Sequence, residues 1–207
     1  MNISLRICAF TSALFVIAAS AVATQPPRDE EKVDPSAPRF VSPDGRYGLL
    51  VTDDRVELIE VTTRRSLVVL SDPERPERSE EARLDWSKDS QMVAAYTATR
   101  MDGSTRLFTR EGDSLVEVKL PELPELPDPE SNAAFRKKHK FRFRKWINTG
   151  SLEFVRWLKS GEVELKSYNE VATAEGGGFR AQINAIIAID SKHHATLKKV
   201  VREEKFE

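Results

Sequence analysis

The densest chemistry in this 207-residue chain lies between Phe135 and Trp146, where basic residues alternate with aromatic ones. Arg136, Lys137, Lys138, Lys140, Arg142 and Arg144 carry the charge, and Phe135, Phe141, Phe143 and Trp146 supply the rings. Cations so spaced can follow phosphates or sulfates while the rings stack on bases or sugars. These six cations are the candidate contact for an anionic polymer or surface. The same residues also fit an edge strand with Phe141 and Phe143 inward and the cations outward, discouraging edge-to-edge aggregation. A further reading pairs them with the acidic stretches 72–81 and 121–130.

Other candidate groups are less organised. His193 and His194 lie close to Asp190, but neighbouring strand residues point to opposite faces and neighbours in a turn seldom converge on one ion. A solvated turn is expected there, with no metal. No Gly-x-Ser-x-Gly elbow is present, and Gly176-Gly177-Gly178 precedes a strand where a phosphate-binding loop would precede a helix. Carboxylates are plentiful, but none is marked by spacing as a catalytic pair. No cofactor is implied. The one cysteine, Cys8, falls in an N-terminal apolar run, so the rest of the chain has neither a disulfide framework nor a thiolate nucleophile.

That run, Ile7 to Ala19, follows Arg6 and ends in Ala21-Val22-Ala23, which predicts a secretory signal peptide over residues 1–23. It is short for a membrane span, which needs about 20 apolar residues. No integral membrane span is expected once it is cleaved, and the mature protein is placed in the periplasm or outside the cell. Removing Arg6 leaves 31 basic against 33 acidic residues, so no global field steers a polyanion. Residues 24–38 carry four prolines and one aliphatic residue, Val33, too little to offset the entropy of ordering, and read as a disordered arm.

From Arg39 the pattern changes to short apolar runs between tight polar turns. Arg39 to Val41, Tyr47 to Thr52, Val56 to Val61 and Ser66 to Leu70 read as strands of an antiparallel meander, the first turn being Ser42-Pro43-Asp44-Gly45. Leu49-Leu50-Val51 and Leu67 to Leu70 are apolar on both faces, which predicts packed layers on both sides of that first sheet. After a charged loop the outline repeats. Ala82 to Trp86, then Ser87-Lys88-Asp89-Ser90 in the place of the first turn, lead to strands at 91–98, 105–109 and 115–120. Asp89 follows Asp44 by 45 residues. Residues 121–146, Pro-rich and then basic, read as an insertion. Strands at 151–158, 162–168, 179–189 and 195–201 form a third unit, with 202–207 as a charged tail. Within it Phe179, Ala181, Ile183, Ala185, Ile187 and Ile189 share one face with strict period two.

Ser42-Pro43-Asp44-Gly45-Arg46-Tyr47, with Leu49-Leu50-Val51 and the strand from Val56 to Val61 after it, resembles one blade of a TolB-like or WD-repeat-like β-propeller. Trp86-Ser87-Lys88-Asp89-Ser90 resembles a second copy without the Pro and Gly, and Trp157-Leu158-Lys159-Ser160-Gly161 a more distant third. The resemblance implies a binding platform. Closed propellers have four or more blades, and three are counted here.

The expected fold is therefore mainly β, with antiparallel meander sheets in about three blade-like units forming an open or incomplete propeller-like assembly within residues 39–204. A twisted β-sandwich is the alternative. The expected function is an exported non-catalytic module that binds a protein or envelope component, with self-association possible because three blades leave the ring open. The alternative is a secreted hydrolase with an unmarked carboxylate site.

Overall fold

The computed structural model describes residues 37–52, 55–70, 81–100, 102–159 and 161–206. The predicted signal peptide, nearly all of the Pro-rich arm, the Asp53-Asp54 turn and most of the charged loop after Leu70 lie outside the described residues. Among the described residues the fold is mainly β, with three antiparallel meanders in chain order, none closed into a barrel. Sheet one contains β1 (Tyr47–Val51), β2 (Val56–Glu60) and β3 (Ser66–Val69). Sheet two contains β4 (Glu81–Trp86), β5 (Met92–Ala98), β6 (Gly103–Glu111) and β7 (Ser114–Val118). One helix, α1 (Ala133–His139), precedes sheet three: β8 (Phe143–Lys159), β9 (Glu162–Thr173), β10 (Gly178–Ile189) and β11 (Ala195–Phe206).

Three sheets of three, four and four strands fit about three blade-like units. Sheet one reaches three strands because its expected first strand is reduced to a single bridge between Arg39 and Leu49. The two residues exchange amide bonds of 2.8 and 2.7 Å. Phe40 sits at φ 50, outside the extended region, and turns the chain away from the ladder after Arg39.

Among the described residues sheet two is covered on both faces by other sheets. Val93, Ala95 and Phe108 pack with Tyr47, Leu49, Val56 and Leu58 of sheet one, while Met92, Ala94, Leu107 and Val118 pack with Val163, Leu165, Ile187 and Ile189 of sheet three. The double apolar character read in sheet one leaves Val69 45% exposed there. The period-two face of β10 is as expected: Phe179, Ala181, Ile183, Ala185, Ile187 and Ile189 are all buried. β8 begins at Phe143, inside the expected insertion, and its 17 residues pair with β9 through five register shifts, each of which adds local twist.

The turns at 42–47 and 87–92 share their hydrogen bonds one for one. Ser42 Oγ donates to Asp44 Oδ1 (2.7 Å) and Ser87 Oγ to Asp89 Oδ1 (2.6 Å). Tyr47 N–H donates to Ser42 Oγ (3.0 Å) and Met92 N–H to Ser87 Oγ (2.9 Å). Asp44 Oδ1 accepts from the Arg46 amide, and Asp89 Oδ1 from the Gln91 amide. The corner needs a left-handed residue; Gly45 supplies it at φ 73 and Ser90 adopts it at φ 57. The turns also touch, since the Asp44 amide donates to Ser90 Oγ (3.2 Å).

A second device joins the units. The indole N–H of Trp86 donates to the carbonyl of Phe40 (2.8 Å), and that of Trp157 to the carbonyl of Asp85 (3.0 Å). Each acceptor lies just ahead of the preceding unit's turn, so successive units are latched in the same way.

Candidate functional site at the basic insertion

Residues 121–142 leave sheet two, pass without helix or strand through Pro121 to Pro127, and fold as α1 against the end of sheet three. The helix replaces the first part of the expected edge strand, which is realised only from Phe143, where β8 begins at the edge of sheet three; Phe141 is buried. Its start is set by Asn132, whose side chain accepts from the Phe135 amide (2.9 Å), and by the good helix formers Ala133 and Ala134. Arg136, Lys137, Lys138 and His139 crowd its last turn, where cations complement the helix dipole, and Lys140 ends it in the left-handed conformation. Ser131-Asn132-Ala133-Ala134 ahead of a basic run is the sequence signal for this helix.

Seven residues are too few for a stable isolated helix, so α1 depends on its anchor. Phe135, Phe141 and Phe179 are buried together, with Phe135 and Phe179 rings edge to face at 5.4 Å and Phe141 and Phe179 stacked at 4.8 Å. Phe206 of β11 meets Phe179 at 5.0 Å and Phe141 at 6.0 Å. This contact explains why the stretch expected as a charged tail continues β11 to Phe206. Trp146 donates its indole N–H to Glu130 Oε2 (2.7 Å), tying β8 back to the turn before α1.

The six candidate cations divide into two groups. The Arg136 guanidinium donates to the carbonyls of Pro129 and Glu130 and fastens the turn before α1. Lys138 Nζ lies 3.5 Å from Glu204, whose carboxylate is also 2.9 Å from His139 Nε2, off the hydrogen-bond axis. Arg142 pairs with Glu175 at 2.8 Å, and its amide donates to the same carboxylate. These bonds hold the Glu175 carboxyl below its ordinary range. Lys137, Lys140 and Arg144 are exposed and their side chains have no partner among the described residues. Lys145, next to Arg144 on β8, is likewise exposed and unpaired.

The histidines diverge: His193 Nδ1 lies 3.1 Å from Glu111, while His194 Nδ1 is 3.4 Å from Asp190. Asp190 caps this turn, accepting from the amides of Lys192 and His194, the latter being the main cause of its lowered carboxyl pKa.

Among the described residues, every carboxyl with a displaced titration is displaced downward: Asp44, Asp89, Asp113, Glu117, Asp128, Glu153, Glu175 and Asp190. Glu153 is the most enclosed case. Burial pushes it up, but Lys166 Nζ at 2.7 Å and the Tyr168 hydroxyl at 2.7 Å outweigh that. Burial and this carboxylate together push the Tyr168 phenol up. Such groups are anions held by donors, whereas a carboxyl that donates a proton near neutral pH needs a raised pKa.

No protein-family model matches the chain, and no curated protein matches it.

Proposed function

We propose that this is an exported, non-catalytic binding module in which three propeller-type blades form an open platform and the insertion meets an anionic envelope partner. One observation carries the reading. α1 is pinned by its aromatic face while Lys137, Lys140, Arg144 and Lys145, within nine residues of chain, are left exposed without a side-chain partner among the described residues. Elsewhere on the same insertion the cations are engaged by carboxylates and carbonyls, so the four unpaired ones are those available to a ligand. The matching turns and the repeated tryptophan latch support the blade reading, as does the two-sided burial of sheet two.

The test is retention of the mature chain on heparin, with capture from an envelope fraction alongside. Replacing Lys137, Lys140, Arg144 and Lys145 by Gln is expected to shift elution to clearly lower salt and to release the captured partner. Replacing Arg136, Lys138 and Arg142 is expected to change elution far less. Elution unaffected by the first set, or equally affected by both, refutes the assignment.

A further inference from the structure

The outer edges of the three sheets are unequal. Sheet one ends in β3, four residues long, and sheet two in β7, five residues long. Sheet three ends in β11, twelve residues long, with no strand on its outer side among the described residues. From Val201 to Phe206 every residue of β11 is exposed, including Val201 at 38% and Phe206 at 56%. A long edge of unpaired amides and carbonyls is a template for another strand. Its charges decide which strand fits.

We propose that β11 pairs antiparallel with β11 of a second copy of this chain, about a two-fold axis through Val201, joining two third sheets into one eight-stranded sheet. Directly opposed residues in an antiparallel pair lie on the same face, and a two-fold axis normal to the sheet keeps each residue on its own face. Residue i can then face only a partner of the same parity, so the axis must pass through a residue and not between two. Centring on Lys199 opposes that cation with its own copy, and centring on Val200 brings Arg202 to the bulge at Lys198, cation near cation, and leaves Lys199 opposite Val201. Centring on Arg202 opposes Arg202 with itself and Lys199 with Lys205. Centring on Glu203 opposes that carboxylate with its own copy. On Val201, Lys199 faces Glu203 twice, with Val201 against Val201 on the axis and no like charges opposed; the regular register runs from Lys199 onward, because Lys198 is the extra residue of a bulge against β10. Lys and Glu on the edge thus block the neighbouring registers and favour one. Glu203 accepts side-chain amides from Gln182 and Asn184 and retains lone pairs for a lysine across the seam. The pair that sets the register, Lys199 with Glu203, is separate from the insertion, whose Lys138 and His139 approach the neighbouring Glu204 and whose helix is held by the aromatic cluster at the strand's end.

The experiment uses the mature full chain in sedimentation equilibrium at low salt. The wild type is expected to dimerise. Lys199→Glu sets Glu against Glu203 of the other copy at two places, and Glu203→Lys sets Lys against Lys199 at two places. Each variant alone is expected to weaken the dimer roughly tenfold or more. Mixing the two variants restores opposite charges at both places, and a heterodimer of near wild-type affinity is expected. Circular dichroism of each variant alone checks that the sheets are intact. A wild type that remains monomeric to about 1 mM overturns the proposal. So does a dimer that neither variant weakens, or one that both weaken but mixing does not recover.

Discussion

Phe135→Ala should release α1 from sheet three while leaving the sheets folded. The ring is 9% exposed and lies 4.5 Å from His139, 5.4 Å from Phe179 and 6.4 Å from Phe141, centroid to centroid. Burying a phenylalanine contributes about 1.5–3 kcal/mol, and each well-placed aromatic pair adds about 0.5–1.5 kcal/mol. The anchor therefore contributes on the order of 3–4 kcal/mol, within the range for truncating a buried phenylalanine. A seven-residue helix has no stability of its own to set against that loss. The clusters that join sheet one to sheet two and sheet two to sheet three contain no residue of α1, so their cohesion should survive. Hydrogen exchange reads the two outcomes separately. The amides of Arg136, Lys140 and Phe141, which donate to Asn132, Lys137 and Arg136 carbonyls, should lose protection by roughly a hundredfold or more. Those of β5 and β6 should be nearly unchanged. Unchanged protection in α1, or loss of β5 and β6 together with it, would show that the helix is not a separately anchored element.

Two glycines separate conformational cost from steric cost. At Gly45, φ 73, an added Cβ meets nothing within 4 Å, so Gly45→Ala should destabilise by only about 1 kcal/mol in urea unfolding. At Gly161, also φ 73, the Cβ would lie 2.6 Å from the Ile189 carbonyl oxygen, and Gly161→Ala should cost clearly more. A smaller loss at Gly161 than at Gly45 would contradict the argument. The paired turn aspartates predict an acid limb. Burial raises Asp44, but Ser42, the Arg46 amide and Arg110 overcome it, while the Ser87 hydroxyl leads the lowering of Asp89; both folded carboxyls titrate below the ordinary 3.8. Their stabilisation is complete above that value and is lost as pH falls through the lower folded pKa. Urea midpoints measured from about pH 5 downward should therefore fall less steeply in Asp44→Asn plus Asp89→Asn than in the wild type.

The meanders were legible wherever a turn residue and an apolar run agreed, as at Pro43-Asp44-Gly45 before Tyr47 or across the alternating residues of β10. The turn at Ser87 was found from its spacing although Pro and Gly are missing, because Ser and Asp carry the hydrogen bonds and Ser90 tolerates the corner. Layering was not legible. Leu50 and Val69 are as apolar as Val93 and Ala94, and only the stacking order decides which sheet is covered twice. α1 was hidden by its own composition: a run of cations and aromatics suits an edge strand as well as a helix, and the deciding signals were the small residues ahead of it. Within the candidate site the sequence supplied the cations but not their division. Glu175 and Glu204 lie more than thirty and sixty residues from the lysines and arginines they engage, and no local pattern announces them.

The three tryptophans of this chain occupy three different seams. Trp86 bonds across from sheet two to the start of sheet one, Trp157 from sheet three to sheet two, and Trp146 from β8 to the turn that leads into α1. Each indole sits in one joint and in no other, so the molecule carries its own set of optical labels. Variants retaining a single tryptophan would report, by emission colour alone, whether the blades separate in succession or all at once.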